Sequence, residues 1–215
     1  MRPVTPAGLV DELADLIAGR ADRLGPGWLR VAVDGADAAD PGRLADALVD
    51  PVRLRGHEVV RVRAAEQLRP ASLRYERGRT EPDSYLDDWL DTDGLLREVL
   101  DPLEPGGTGL IRPRRWDPVT DRAARTDFTA VPPGGVVILS GPLLLGRWLP
   151  FELTVHLELS PAALARRTPA DQAWTLPAHA RYADEVDPVA TADVVVRVDD
   201  PRHPAVRRTE PSPGS

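Results

Sequence analysis

The stretch "VAVDGADAADPGRLADAL", residues 31–48, decides how the chain is interpreted. It begins with an apolar run, passes through Asp34-Gly35 and continues into a segment whose leucines have helical spacing. This order of strand, turn and helix is typical of a phosphate-binding loop with the pattern G-x-x-x-x-G-K-[ST]. Gly35 matches the first glycine of that pattern. Asp40, Pro41 and Gly42 stand where it has the second glycine, the lysine and the hydroxyl.

Bulk composition limits the class of protein. The 215 residues, 42% hydrophobic and 28% charged, are enough for one soluble globular domain with a full core. The net charge of −7 disfavours a nucleic-acid partner, because no basic excess meets the phosphates. The chain has no cysteine and its four histidines are not at paired ligand spacing, so we expect no metal centre built from these residues.

Two further absences shape the functional expectation. No apolar run approaches the ~18 residues of a membrane span, and no signal-peptide pattern precedes the first helix, so we expect a cytoplasmic protein without membrane contact. All 27 basic residues are arginine. No lysine of this chain can therefore reach a phosphate.

Hydrophobic periodicity predicts an α/β domain. Helical spacing is present at residues 6–24, 41–49 and 83–103. Strand-like runs occupy residues 29–34, 57–63, 134–141, 153–159 and 192–200, and residues 108–130 favour an extended hairpin. Alternating strands and helices indicate a three-layer α/β/α domain with a mostly parallel central sheet. We expect one domain over residues 1–200, with a small hairpin and a lid at about 165–180, followed by a disordered tail, 201–215.

Four more motifs follow residues 31–48 in order. They are "LRYERGRTEPDSYLDDWLD" (73–91), "LLREVLDPLEPGG" (95–107), "VVILSGPLLL" (136–145) and "RYADEVDPVATADVVV" (181–196). Together the five segments resemble the uridine kinase-like branch of the P-loop kinases over residues 28–199. The resemblance implies a P-loop kinase fold and, in an active member, Mg-ATP-dependent phosphorylation of a nucleoside.

The resemblance also implies site residues. Nucleotide and phosphate contacts fall on Asp34, Gly35, Asp37, Arg43, Arg166 and Arg167. Substrate contacts fall on Arg74, Tyr75, Arg79, Asp117, Arg181 and Tyr182. The family's general base falls on Ala65, which leaves the adjacent Glu66 as the candidate catalytic residue, and its acid at the end of the fourth strand falls on Ser140.

The substituted loop has its own physical sense. A phosphate loop works because free N–H groups at a helix N-terminus point at the ligand. Asp40 is a strong N-cap residue and Pro41 suits the first helical position, so the sequence predicts that the Asp40 carboxylate occupies donors that a phosphate would use. Proline also removes one N–H, and the carboxylate repels a triphosphate by roughly 1–4 kcal/mol at about 4 Å.

Three functional hypotheses follow. The first is a pseudokinase that binds a protein partner, a nucleoside or a small anionic ligand, with no cofactor. The second is a divergent uridine or cytidine kinase that uses Mg-ATP, with Arg43, Arg166 and Arg167 in place of lysine and Glu66 as base. The third is a structural or dimerisation module, a homo-oligomer whose former site has collapsed around Asp40.

Overall fold

The computed structural model describes residues 1–209. Its strands are β1 (Arg2–Pro3), β2 (Leu29–Asp34), β3 (Val59–Arg63), β4 (Leu110–Ile111), β5 (Trp116–Asp117), β6 (Arg122–Ala123), β7 (Thr129–Ala130), β8 (Val136–Gly141), β9 (Leu153–Glu158), β10 (Val194–Arg197) and β11 (Ala205–Arg208). Its α-helices are α1 (Pro6–Leu24), α2 (Pro41–Leu54), α3 (Ala71–Arg74), α4 (Pro82–Asp87), α5 (Thr92–Leu95), α6 (Pro161–Arg167), α7 (Leu176–Val186) and α8 (Pro188–Thr191). Short 3-10 helices cover Asp37–Ala39, Ala64–Glu66, Asp101–Leu103 and Ala170–Thr175, and a π-helical turn covers Leu96–Leu100.

Seven strands form the main sheet in the order β1-β11-β10-β9-β2-β8-β3. The five strands from β10 to β3 are parallel, and β1 and β11 extend the sheet as an antiparallel edge. The central strand β2 is buried along its whole length, as a continuous apolar run predicts for a strand covered on both faces. Its last residue, Asp34, pairs in register with Gly141 of β8 and His156 of β9. The end of β2 therefore brings polar side chains from neighbouring strands to one edge of the sheet.

Helices cover both faces of the sheet, which confirms the predicted three-layer α/β architecture. On one face, α1 and α2 contribute Leu13, Ile17 and Leu48 to an apolar cluster with β2 and β8. The hydroxyl of Thr5 caps α1 by accepting the N–H of Gly8 at 3.0 Å. On the other face, α4, residues 92–103 and α7 pack on the sheet in a second cluster. Within residues 1–209, no helix is both long enough and apolar enough to cross a membrane.

Residues 108–130 form the predicted extended hairpin. Strand β4 pairs with β7, and β5 pairs with β6 further out, so the hairpin is a nested two-stranded ribbon. Two backbone hydrogen bonds join the ribbon to the domain. The N–H of Arg115 donates to the carbonyl of Glu66 at 3.0 Å, and the N–H of Arg112 donates to the carbonyl of Glu98 at 2.8 Å.

Two expectations need correction. Residues 83–103 do not form one continuous helix. The chain leaves α4 at Asp88, and Asp91 starts the next helix by accepting the N–H of Gly94 at 3.0 Å. The tail from residue 201 is not disordered as predicted, because β11 pairs with β10 and β1 and buries Val206, which is 5% exposed. Residues 210–215 of the predicted tail lie outside the described residues.

Candidate functional site

The loop between β2 and α2 is folded onto itself. The N–H groups of Ala39 and Asp40 donate to the carbonyls of Ala36 and Asp37 at 2.8 and 2.9 Å. The Asp40 carboxylate then accepts the N–H of Arg43 at 3.1 Å. Pro41 has no N–H to offer. Much of the donor set that a phosphate loop presents to its ligand is thus used within the chain or missing.

Asp40 adopts an unusual backbone conformation in order to cap α2. Its φ and ψ are both 56°, in the left-handed region that non-glycine residues avoid. Asp and Asn enter this region at lower cost than most residues because their short polar side chains bond locally. The predicted N-cap at Asp40 and the predicted first helical position at Pro41 are therefore both present.

A buried hydrogen-bond network surrounds Asp34. One carboxylate oxygen accepts the N–H of Leu144 at 2.8 Å, and the other accepts the Tyr182 hydroxyl at 3.0 Å and Nδ1 of His156 at 2.7 Å. The Tyr182 hydroxyl in turn accepts the N–H of Leu145 at 3.0 Å. Burial, and next the charge of Asp34, raise the pKa of Tyr182, so the hydroxyl remains a donor at all physiological pH values. The predicted nucleotide residue Asp34 and the predicted substrate residue Tyr182 are thus in direct contact.

Gly35 and Asp37 continue the loop beside this network. A Cβ on Gly35 would lie 2.9 Å from Cβ of Leu157, so only glycine fits this close approach. Desolvation, and next the charge of Asp40, raise the pKa of Asp37, although part of the residue remains in contact with solvent.

A cavity of about 130 Å³ lies beside Ala65, the position on which the family's general base falls. It is lined by Ala65, Asp37 and Arg147, together with the rings of Tyr85 and Trp89. Its volume is well below the ~300–1,000 Å³ typical of ligand pockets. Burial raises the pKa of Tyr85 and lowers that of Arg147. Among residues 1–209, the space next to the former base position is therefore too small for a nucleoside unless the surrounding side chains move.

A second cavity, of about 770 Å³, lies on the outer side of the same loop. It is lined by Asp40 and three arginines, Arg43, Arg167 and Arg202. Arg167 is held in place because its guanidinium donates to the carbonyls of Val198 and Asp199, at 2.9 and 2.7 Å. Arg43 is exposed and, within the part of the chain that the structure describes, its guanidinium has no ion-pair partner. This cavity, which we call the arginine cavity, has the charge that an anion requires.

The predicted substrate residues near residue 74 form a separate cluster. The Arg74 side chain is buried, donates to the carbonyl of Arg69 at 2.8 Å and pairs with Asp121 of the hairpin. Its guanidinium lies 4.8 Å from the ring centroid of Tyr75, and Arg79 lies over the same ring at 4.9 Å. Arg74 therefore joins the hairpin to the domain through its own contacts.

Glu66 and Asp117 are linked to each other through Arg114. The Arg114 guanidinium lies 3.7 Å from the Glu66 carboxylate and 3.3 Å from that of Asp117. Asp117 also accepts the N–H groups of Val119 and Thr120, at 3.0 and 3.3 Å, and the first of these bonds is the main cause of its lowered pKa. Glu66 does not line the small cavity, whereas the preceding alanine does. The structure thus places the candidate base on the side of the hairpin.

The remaining predicted arginines lie on the helices α6 and α7. Arg166 is exposed and, among residues 1–209, makes no hydrogen bond or ion pair. Arg181 pairs with Glu185 of its own helix at 2.7 Å and with Asp83 and Asp87 of α4, at 3.2 and 2.9 Å. Arg181 therefore ties α7 to α4.

Aromatic packing adds a second tie between the lid and the domain. The ring of Trp174, in the 3-10 helix that precedes α7, lies 5.5 Å from those of Tyr85 and Trp89. Because Tyr85 and Trp89 also line the small cavity, the lid packs directly against its wall.

Sequence reasoning missed two groups of the site. The local sequence around His156 does not mark it as a site residue, whereas in the structure it is buried and hydrogen-bonded to the loop aspartate, Asp34. The pairing register of β2 and β9, which sets Asp34 opposite His156, is the signal that could have placed these two residues together. Arg147 follows a run of apolar residues after β8, and no pattern in the sequence marks it as a cavity residue.

The sheet order, the helices on both faces and the loop at the end of β2 define a P-loop kinase fold of the uridine kinase-like type. Solved structures that share it include the following three. A possible uridine kinase from Bacillus stearothermophilus is 21% identical, with a TM-score of 0.64, over 86% of this chain and 98% of that one. A putative fructose transport system kinase from Silicibacter sp. TM1040 is 22% identical, with a TM-score of 0.59, over 84% and 90%. The YGR205w protein is 9% identical, with a TM-score of 0.58, over 96% and 100%.

No family model matches the chain, and no curated protein is significantly similar to it in sequence. At these identities the structural likeness establishes the fold and leaves the activity to be argued from the residues.

Proposed function

We propose that this protein is a pseudokinase: a uridine kinase-like fold that binds a small anionic ligand without transferring a phosphoryl group from ATP. The observation that carries the proposal is the hydrogen bond from the Arg43 N–H to the Asp40 carboxylate. It supports the view that the chain supplies its own anion at the helix N-terminus where a nucleotide phosphate would bind.

The residues do not fit Mg-ATP as an active member would hold it. The loop has no lysine and no hydroxyl at the expected positions, and Ser140 accepts a hydrogen bond from Arg61 at 2.9 Å. Phosphoryl transfer depends on positioning and on neutralising the phosphate charge, so the loss of several of these groups together removes most of the catalytic advantage. We therefore route no catalytic step through Mg-ATP.

The arginine cavity is the proposed place for the anionic ligand. Arginine binds phosphate or carboxylate through two parallel N–H groups. Arg43 lines the cavity beside the fixed Arg167, and Arg202, whose guanidinium lies 3.5 Å from the Asp200 carboxylate, completes the basic lining, which supports this location. The Asp40 carboxylate on the same wall opposes high negative charge, which favours a ligand with one or two charges over a triphosphate.

The alternative is a divergent uridine or cytidine kinase that uses these arginines in place of lysine. The observation in its favour is that the arginine cavity adjoins the loop and exceeds 300 Å³, the lower bound of ordinary ligand pockets. It requires the small cavity beside Ala65 to open and a base other than Glu66, whose carboxylate lies near Arg114.

Thermal unfolding with separate additions of inorganic phosphate, Mg-ATP and uridine tests the proposal. We expect phosphate to raise Tm, the Arg43→Gln change to abolish that rise, and the exposed control change Arg23→Gln to leave it intact. Mg-ATP is expected to leave Tm unchanged in the unchanged protein, and to raise it only after the triple change Asp40→Gly, Pro41→Lys and Gly42→Thr. Phosphorylation of uridine or cytidine by the unchanged protein would establish the alternative instead.

A further inference from the structure

A third cavity, of about 430 Å³, lies between the end of β9 and the helices α6, α7 and α8. Most of its wall is apolar, with Leu143, Leu164 and Leu176 among its members. Its volume lies within the range of ordinary ligand pockets, and a mostly apolar wall with a few convergent polar groups is typical of such pockets. We call it the lid cavity.

His156 presents one ring nitrogen that is free to bind a ligand. It lines the lid cavity, and its Nδ1 is engaged by the fully buried Asp34 carboxylate at 2.7 Å. Its Nε2 has no hydrogen-bond partner among residues 1–209, and this atom remains accessible from the cavity. When the Asp34 carboxylate accepts from Nδ1–H, the lone pair of the ring is on Nε2, which can then accept a hydrogen bond from a ligand.

The charge of the lid cavity is negative. Glu158 lies two residues after His156 on β9, so both side chains project from the same face of the strand, and both line the cavity. Within the described part of the chain, the Glu158 carboxylate makes no hydrogen bond or ion pair. Asp187 adds a second carboxylate, and no arginine lines this cavity although the chain contains 27.

The other titratable groups on the wall do not offset this charge. Burial is the main cause that lowers the pKa of His179, so its ring is neutral at pH 7. The Tyr182 hydroxyl is already engaged with Asp34 and Leu145. The two carboxylates, Glu158 and Asp187, are therefore the charged groups on the wall.

We propose that the lid cavity binds a small, largely apolar ligand with a primary ammonium group, which donates to Nε2 of His156 and pairs with the Glu158 carboxylate. The apolar wall accommodates the body of the ligand, and the two acceptors fix its head group. The site is separate from the arginine cavity, so this inference does not rest on the proposed loss of phosphoryl transfer.

A pair of probes of similar size and opposite charge tests the proposal. Benzylamine and benzoate are titrated into the full-length protein by calorimetry and by thermal unfolding. Benzylamine is expected to bind, and at about ten times its Kd to raise Tm by about 3–6 °C. Benzoate is expected not to bind in the lid cavity, because both carboxylates repel it. The Glu158→Gln change should weaken benzylamine about five- to tenfold, and the exposed control change Glu76→Gln should leave its Kd unchanged.

The His156→Phe change gives an independent readout, since phenylalanine keeps a ring at this position and removes the acceptor. The change is expected to weaken the binding of benzylamine. Because the variant also removes a partner of Asp34 and so lowers the stability of the domain, the Tm with benzylamine is compared with the Tm of the same variant without ligand. Benzoate that binds as well as benzylamine would overturn the assigned charge. Absence of benzylamine binding at millimolar concentration, or binding that neither variant weakens, would overturn the site.

Discussion

Substitution of Asp40 by glycine and by alanine separates the two contributions of this residue. Its carboxylate caps α2 through the N–H of Arg43 at 3.1 Å, and its backbone stays at φ 56°. Alanine loses the cap, which costs about 1 kcal/mol, and remains in a left-handed conformation that is unfavourable by about 1 kcal/mol or more. Glycine caps almost as well as aspartate and has no such backbone cost. We therefore expect the glycine variant to be about 2 kcal/mol more stable than the alanine variant.

Urea unfolding followed by circular dichroism measures this difference, and a Tm gap of about 4–8 °C should accompany it in a domain of this size. Asp50, in the body of the same helix and with a side chain that is 89% exposed, provides a matched control. Glycine at Asp50 should be about 1 kcal/mol less stable than alanine, because helix interiors disfavour glycine. The order of the two variants is thus expected to reverse between the two positions.

The reasoning fails if the glycine variant of Asp40 is no more stable than the alanine variant. That result would mean that the loop does not hold residue 40 in the left-handed conformation in solution, and the self-capped loop would lose its physical basis. A glycine variant that also binds inorganic phosphate more tightly than the unchanged protein would support the view that the carboxylate occupies an anion site.

Three further outcomes are expected. The Tyr182→Phe change should lower the unfolding free energy by about 1–3 kcal/mol, because it leaves a buried carboxylate and a buried N–H short of a partner. The control change Tyr85→Phe should lower it little, because the Tyr85 hydroxyl has no hydrogen-bond partner within residues 1–209. The Asp200 carboxyl should titrate with a pKa of about 2 by NMR, chiefly because His203 hydrogen-bonds to it, and His203→Ala should raise that pKa toward 3.8. The stabilising contribution of Asp200 is therefore complete above pH 4 and lost as the pH falls toward 2, and an unchanged pKa in the variant would contradict this assignment. Val206→Asp should destabilise the domain by several kcal/mol, since an unpaired charge would enter the sheet; an unaffected Tm would mean that β11 is not part of the fold in solution.

Strand and helix positions were predictable wherever burial follows a simple period. Residues 29–34 and 6–24 were predicted within the observed bounds, because continuous apolar runs and helical leucine spacing reflect what those segments pack against. β11 was missed because its Pro- and Arg-rich surroundings conceal a short edge strand in which Val206 is the buried member. Short edge strands depend on a neighbour that is distant in the chain, and local composition does not contain that neighbour.

The candidate site was only partly predictable for a related reason. Asp40 as a helix cap is a local property of four consecutive residues, and the sequence is sufficient to predict it. The contacts of Asp34 with His156 and Tyr182 depend on strand register and on the packing of α7, so they required the folded chain. Arg74 and Arg181 were assigned to substrate by resemblance, and the structure instead places both in ion pairs that join elements of the protein.

The ties on α7 have a kinetic consequence. This helix is fastened to α4 by Arg181 and to the end of β2 through Tyr182, and the 3-10 helix that leads into it packs Trp174 against the rings beside the small cavity. Because α7 lines the lid cavity, we expect a ligand of that cavity to enter only after a transient local opening that breaks these contacts. The observed association rate should then level off as the ligand concentration rises, and the limiting value should equal the rate constant for the local opening of α7.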